Sequence, residues 1–178
     1  MSTRPGLFAR LKSLLRPPGG RSAASVPPTF PADLRGTTAT ASIEPPFPRN
    51  LRISYAPSID GDPDAGEIVW TWVPYAENDG RGKDRPVLVI GRLDDSRVYA
   101  VRLTSRSHDG ERDFLGIGAG PWDAQGRPSW VDIEQLYSVH ADGMRREASA
   151  LDRTRFAQVA DALHRRYGWT VGGLTPEG

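Results

Sequence analysis

Hydrophobic and polar positions fall into two regimes along the chain. From Gly66 onward, apolar residues gather in short β-branched and aromatic runs separated by Gly, Asp, Asn and Pro; before it they are scattered. Glu67-Ile68-Val69-Trp70-Thr71-Trp72-Val73 ends at Pro74 and reads as a strand, with Ala76 to Lys83 supplying a loop. Arg85-Pro86-Val87-Leu88-Val89-Ile90-Gly91 reads as a second strand, its proline tolerated at the strand's start. Val98 to Leu103 makes a third, and Leu93-Asp94-Asp95-Ser96 between them fits a hairpin. Shorter strands are expected over 114–117 and 130–139. The period then changes: Phe156, Val159, Ala160, Leu163 and Tyr167 recur at helical spacing, with Asp152 to cap, Leu151 to staple onto Phe156 and Gly168 to end the helix. Short strands followed by one helix predict a mainly β fold with a C-terminal helix (α+β), as a small barrel or strongly bent antiparallel sheet. The helical stripe is core packing, not a cofactor box.

The segment before Gly66 behaves differently. Leu7, Phe8, Leu11, Leu14 and Leu15 share a helical spacing, with Arg10, Lys12 and Arg16 opposite, until Pro17-Pro18-Gly19-Gly20 breaks the pattern. That describes a short basic amphipathic helix, or a frayed tail, since so short a helix is marginal alone in water. No continuous apolar stretch or small-residue cleavage site follows, so it does not read as a secretory signal. From Pro17 to about Asp64 the composition is Pro, Ser, Thr, Ala and Gly without either period, and it reads as a disordered linker. Leu51-Arg52-Ile53-Ser54-Tyr55 is the one place where an extended segment would dock. The expected organisation is a disordered, Pro-rich extension over 1–65, a folded domain over 66–170 and a flexible tail over 171–178.

Composition narrows the chemistry. The chain lacks cysteine, which excludes disulfides, thiolate metal sites and cysteine nucleophiles. Its longest apolar run is strand-sized, so no transmembrane span is expected, and cytoplasm is the default location. The net charge of +1 hides a local excess: from Arg81 to Arg112 there are eight basic residues against five acidic ones, which is where a phosphate contact is sought.

Residues Gly66-Glu67-Ile68-Val69-Trp70, a glycine-containing loop, Lys83-Asp84-Arg85-Pro86 with the aliphatic run after it, and Leu103-Thr104-Ser105 occur in an order that resembles the MazF/PemK family of toxin endoribonucleases. Trp130-Val131-Asp132 and the closing helix fall where that family has them, and the resemblance covers Gly66 to Tyr167. It implies an SH3-like barrel of the MazF/Kid/CcdB toxin type, working as a homodimer. It also implies cleavage of single-stranded RNA (mRNA) without metal or other cofactor, and inhibition by a cognate antitoxin protein laid across the RNA site.

Metal-free cleavage, in which the ribose 2′-hydroxyl attacks the adjacent phosphorus, needs a base, a cation for the developing charge and an acid for the departing 5′-oxygen. On the resemblance, the catalytic residues are Arg85, Thr104 and Asp132. Arg85 supplies a planar, permanently charged fork for two phosphate oxygens. Thr104 and Ser105 orient a non-bridging oxygen, although Thr-Ser equally terminates a strand by turn hydrogen bonds. Asp132 corresponds to an aspartate that some members use as base, but Trp130 stands where such members carry arginine. Other members place a glutamate before Arg-Pro; Gly80 stands there, with Glu77 and Asp79 nearby. The base is therefore open among Asp132, Glu77, Asp79 and His108, the last a loop histidine that can move a proton near neutral pH. Further RNA contacts are expected from Lys83, Ser105, Arg106, His108 and Trp122. Among the tryptophans at 70, 72, 122 and 130, the turn Gly120-Pro121-Trp122-Asp123 best exposes an indole for base stacking.

Two other readings keep the fold. One is an RNA-binding SH3-like module impaired in catalysis, to which the departures at Gly80 and Trp130 point. The other is a CcdB-type toxin that inhibits DNA gyrase through a protein contact, against which Arg85-Pro86 and Thr104-Ser105 argue.

Overall fold

The computed structural model describes residues 36–47, 49–58, 62–77, 79–172 and 174. The amphipathic segment over 1–16 and most of the extension expected to be disordered lie outside the described residues, as does 175–178.

Strands β1 (Ala41–Ile43), β2 (Arg52–Ser54), β3 (Glu67–Pro74), β4 (Gly82–Arg92), β5 (Arg97–Thr104), β6 (Phe114–Gly118), β7 (Ser129–His140) and β8 (Met144–Ala150) precede helix α1 (Arg153–Tyr167) and strand β9 (Thr170–Gly172). The main sheet runs β1-β7-β5-β4-β3-β8 with β6 also on β7, while β2 and β9 form a separate parallel pair. The strands read from the apolar runs thus occur where expected. β8 has no such signature and is held by its antiparallel ladder to β3.

Both faces of the central strands are covered, which explains the unbroken apolar run of β4. Leu88 and Ile90 face a large core with Ile68, Val101, Leu103, Val131, Phe156, Val159, Leu163 and Trp169. Val87 and Val89 face a smaller one with Val69, Val73, Val98, Ala100, Tyr137 and Val139. Each fully buried aliphatic or aromatic side chain contributes roughly 1.5–3 kcal/mol, so the helix side carries most of the stabilisation. On the valine-lined side the sheet curls until Thr40, just before β1, meets Thr71 of β3 hydroxyl to hydroxyl at 2.7 Å. Closure stops there. Among the described residues β1 and β8 form no ladder with each other, so the expected barrel is an open, strongly bent sheet.

The helix follows its sequence signals. Asp152 accepts from the Arg155 amide at 3.0 Å, Leu151 and Phe156 are both fully buried, and Gly168 ends the helix in the left-handed region at φ 72°. His164, Arg165 and Arg166 occupy the last turn, where positive charge complements the helix dipole.

The expected boundaries at 65 and 170 are corrected at both ends. Leu51 and Ile53 are buried in the main core, β1 extends the sheet on β7, and the Trp169 indole donates to the Pro46 carbonyl at 3.0 Å. Val171, assigned to the tail, belongs to β9 opposite Ile53. Three-residue strands show no period of their own; their partners lie far along the chain, and backbone ladders to those partners are what define them.

Candidate active site

Arg85 stands opposite Thr71 of β3, and on its other side the β4–β5 register pairs Val87 with Arg102. Continued two residues towards the strand ends, that register sets Arg85 across from Thr104, and directly opposed residues of an antiparallel pair share a face. Both line one groove of about 300 Å³ with Lys83, Ser105 and Arg106. The guanidinium and the hydroxyl required by the chemistry are therefore borne by adjacent strands on the same side.

Thr104 ends its strand through a turn hydrogen bond. Its Oγ1 accepts from the Arg106 amide at 3.2 Å, as a strand-ending turn requires, and this fixes the oxygen while the hydroxyl proton remains available to a ligand. Arg85, Lys83 and Arg106 make no ion pair with any described residue. The two carboxylates of the groove are engaged: Asp84 pairs with Arg145, and Asp123 with Arg127 at 2.9 Å. Burial pushes the Asp123 carboxyl up, but the amide of Gln125 and the guanidinium of Arg127 outweigh it and hold it below the usual aspartate range. Among the described residues the groove therefore presents unpaired cations and hydroxyls with no uncommitted carboxylate.

Asp132 is not in that groove. It lies 3% exposed in an adjoining hollow of about 390 Å³, where Oδ2 accepts from Arg102 Nε at 2.7 Å. Its Oδ1 accepts from the amides of Glu134 at 3.0 Å and Gln135 at 3.3 Å. These bonds close an irregular stretch of β7, between the pairs Val101–Leu136 and Leu103–Val131, in which β7 carries more residues than β5. A carboxylate so satisfied aims a neighbouring cation and braces a bulge; it is poorly placed as a base.

The remaining candidates disperse. Asp79 is tied to Arg81 at 2.7 Å, and neither it nor the exposed Glu77 lines the groove. His108 stacks on Phe114, ring centroids 3.6 Å apart, with Nδ1 3.0 Å from the Glu111 carboxylate, also outside the groove. Trp122 corrects the expectation of an exposed indole: it is 4% exposed, donates from Nε1 to Ser129 Oγ at 3.0 Å, and lies under the Arg155 guanidinium. Its ring folds back over Gly120, where an added Cβ would sit 2.2 Å from it, so glycine is what lets this turn tuck its tryptophan inward. Trp122 floors the groove, and half-buried Trp70, opposite Pro86 in the ladder, is the indole at its wall. Arg102 was missed from the sequence: only the fold reveals that it shares the face of Arg85 and Thr104.

No cluster of three or more His, Cys, Asp or Glu side chains suited to a metal ion occurs among the described residues, and none of their helices is long and apolar enough to cross a membrane.

A family model described as "PemK-like, MazF-like toxin of type II toxin-antitoxin system" matches residues 64–166, more than half of the chain. Among solved structures, the chain is similar to the Deinococcus radiodurans MazE–MazF complex (Form-III) at 22% identity and TM-score 0.46, covering 61% of this chain and 98% of that one. It is similar to an endoribonuclease from a mycobacterial species at 16% identity and TM-score 0.44, covering 61% and 94%. It is also similar to a mycobacterial endoribonuclease in complex with its cognate antitoxin, at 18% identity and TM-score 0.46, covering 60% and 96%. A comparison with curated proteins gives no match.

Proposed function

The chain belongs to the family of PemK-like, MazF-like toxins of type II toxin–antitoxin systems, and we propose that it acts in the cytoplasm as a metal-independent endoribonuclease, cutting single-stranded mRNA so that translation and growth stop. The observation that carries this reading is the convergence of Arg85 and Thr104 in one groove where two further cations, Lys83 and Arg106, have no described carboxylate partner. A phosphodiester laid there meets the Arg85 fork and the Thr104 hydroxyl together. Attack by the 2′-oxygen forms the new P–O bond, the P–O5′ bond breaks, and a 2′,3′-cyclic phosphate and a 5′-hydroxyl result. Arg85 stabilises the charge that develops on the phosphate oxygens and passes a proton to the 5′-oxygen as the P–O5′ bond breaks. The 2′ proton leaves to water, since the two carboxylates among the described groove residues are committed, and water returns a proton to Arg85. The protein works as a homodimer and is held inactive by a cognate antitoxin that competes for the same cationic surface.

The test is incubation of the purified chain with mixed-sequence single-stranded RNA in excess chelator. The expected result is discrete cleavage with cyclic-phosphate ends, lost in Arg85→Ala; no cleavage of any sequence by the unmutated protein would sink the proposal. A second reading, an RNA-binding module without catalysis, is favoured by the absence of an uncommitted carboxylate among the described residues of the groove; RNA binding without product would establish it.

A further inference from the structure

Beside the groove, between β1, the end of β3 and β7, lies a hollow of about 390 Å³ whose lining includes Ser42, Tyr75, Arg102, Asp132, Tyr137 and Glu134, the last an exposed carboxylate 3.8 Å from the Arg166 guanidinium. Arg102 sits opposite Val87 and two residues before Thr104, so it shares their face of the sheet. Its Nε is spent on the buried Asp132, while its terminal nitrogens have no partner among the described residues and its side chain remains 31% exposed. A guanidinium carries five N–H donors in a rigid fork, so a single bond at Nε fixes its plane and leaves the outer pair free for two oxygens of one anion. The Asp132 oxygens are filled by Arg102 and by two backbone amides, so the carboxylate cannot turn away to another partner. Tyr137 stays a neutral phenol: burial pushes its pKa up, against the pull of Arg102 and Arg85. Ser42 of β1 supplies one wall, and β1 lies outside the residues that match the toxin family.

We propose that this hollow is a second nucleotide subsite, in which the outer nitrogens of Arg102, aimed by Asp132, grip a phosphate next to the one cleaved and the attached nucleoside packs against Tyr75. The subsite rests on the ribonuclease reading of the adjoining groove. Arg102 contacts the strand directly; Asp132 is a positioning residue. Because β1 walls the hollow, the segment before the family-matching region helps to shape the strand's path.

The experiment measures binding of a labelled, mixed-sequence single-stranded RNA, 2′-O-methylated throughout so that it cannot be cut, to the full chain across a range of NaCl concentrations. Arg102→Met, which keeps the stem, is expected to weaken binding about tenfold and to flatten the log–log salt dependence by about 0.7, the value of one phosphate contact on a single strand. Arg102→Lys restores that slope but not the affinity, since an ammonium has charge without the fork. Asp132→Asn weakens binding several-fold with the slope unchanged, because the cation is present but no longer aimed. Ser42→Trp, on exposed β1, weakens binding by filling the hollow and leaves the Arg102–Asp132 pair intact, which covers the case in which the variants at 102 or 132 fail to fold. Folded Arg102→Met and Ser42→Trp proteins that bind with unaltered affinity and slope, while the unmutated chain cleaves unmodified RNA and Arg85→Ala does not, would overturn the subsite and leave the ribonuclease reading standing. An unmutated chain that binds no RNA at low salt would overturn both.

Discussion

The groove and the hollow belong to one sheet, yet they treat their arginines in opposite ways. In the groove, Arg85 faces open space with no carboxylate partner among the described residues, and the local carboxylates are committed to Arg145 and Arg127. In the hollow, Arg102 is tied at 2.7 Å to a buried aspartate. An unpaired cation keeps its full charge for a transition state, whereas a paired one gives up part of its field in return for a fixed direction. The difference separates a group suited to chemistry from one suited to holding a strand in place. The largest expected effect tests this division. Arg85→Ala should lower kcat/KM about a thousandfold through kcat, as loss of a preorganised cation does, while Arg102→Met should act mainly through KM. Equal kcat losses from both, measured in single-turnover cleavage, would erase the distinction.

Stability should divide the two arginines in the reverse order. Arg85→Ala removes no described ion pair or hydrogen bond and should leave the melting temperature within a degree or two. Asp132→Ala leaves a partly buried guanidinium unpaired and two β7 amides without their acceptor. It should destabilise by about 2–3 kcal/mol, the solvent-exposed side of Arg102 keeping the cost below that of a wholly buried pair. Replacing both partners, Asp132→Ala with Arg102→Met, should recover part of the loss. Urea denaturation of the three variants gives the comparison, and a double variant no more stable than Asp132→Ala alone would show that Asp132 serves the bulge rather than the arginine.

The two regions were also unequally legible in the sequence. β3, β4, β5, β7 and the helix announce themselves, because buried strands must be apolar and a core-facing helix must repeat its apolar residues every three or four positions. Arg85 and Thr104 inherit their places from those elements: each stands at the end of a well-marked strand, so locating the strands brings the pair together. The hollow has no such inheritance. Asp132 meets Arg102 only because β7 takes extra residues opposite β5 between Leu136 and Val131, a register change that neither strand's pattern contains. Ser42 reaches the hollow through a three-residue strand whose sequence resembles the linker around it. β8, Met144-Arg145-Arg146-Glu147-Ala148-Ser149-Ala150, carries no apolar alternation because it is an edge strand, and its position follows from β3 rather than from itself. Trp122 was misread for a related reason: the turn chemistry around it is right, but whether the ring points out or folds back over Gly120 depends on a vacancy left by tertiary packing.

The smallest expected effect concerns the one groove cation that is paired, Arg127. Its partner Asp123 is held below the usual aspartate range, so the sign of its linkage to pH is fixed: a carboxyl depressed in the folded state adds stability above its unfolded value and loses it as pH falls through the folded one. Above about pH 5 the pair is formed and Arg127 is partly neutralised; well below pH 4 the pair is lost and Arg127 joins Lys83, Arg85 and Arg106 as an uncompensated cation. Asp123→Asn should reproduce the acid condition at neutral pH. A surface-facing pair of this kind contributes at most about 1 kcal/mol, so the variant should lose little stability. It should bind the uncleavable RNA a few-fold more tightly with a steeper salt dependence, because one more cation is released to the phosphates. In urea the variant should lose less stability than the unmutated chain as the pH is lowered below about 4, the aspartates at 94 and 152 keeping their own share of that loss. Tighter binding without the steeper salt slope would mean that Asp123 excludes RNA by shape, and the contrast between paired and unpaired cations would then not extend to Arg127.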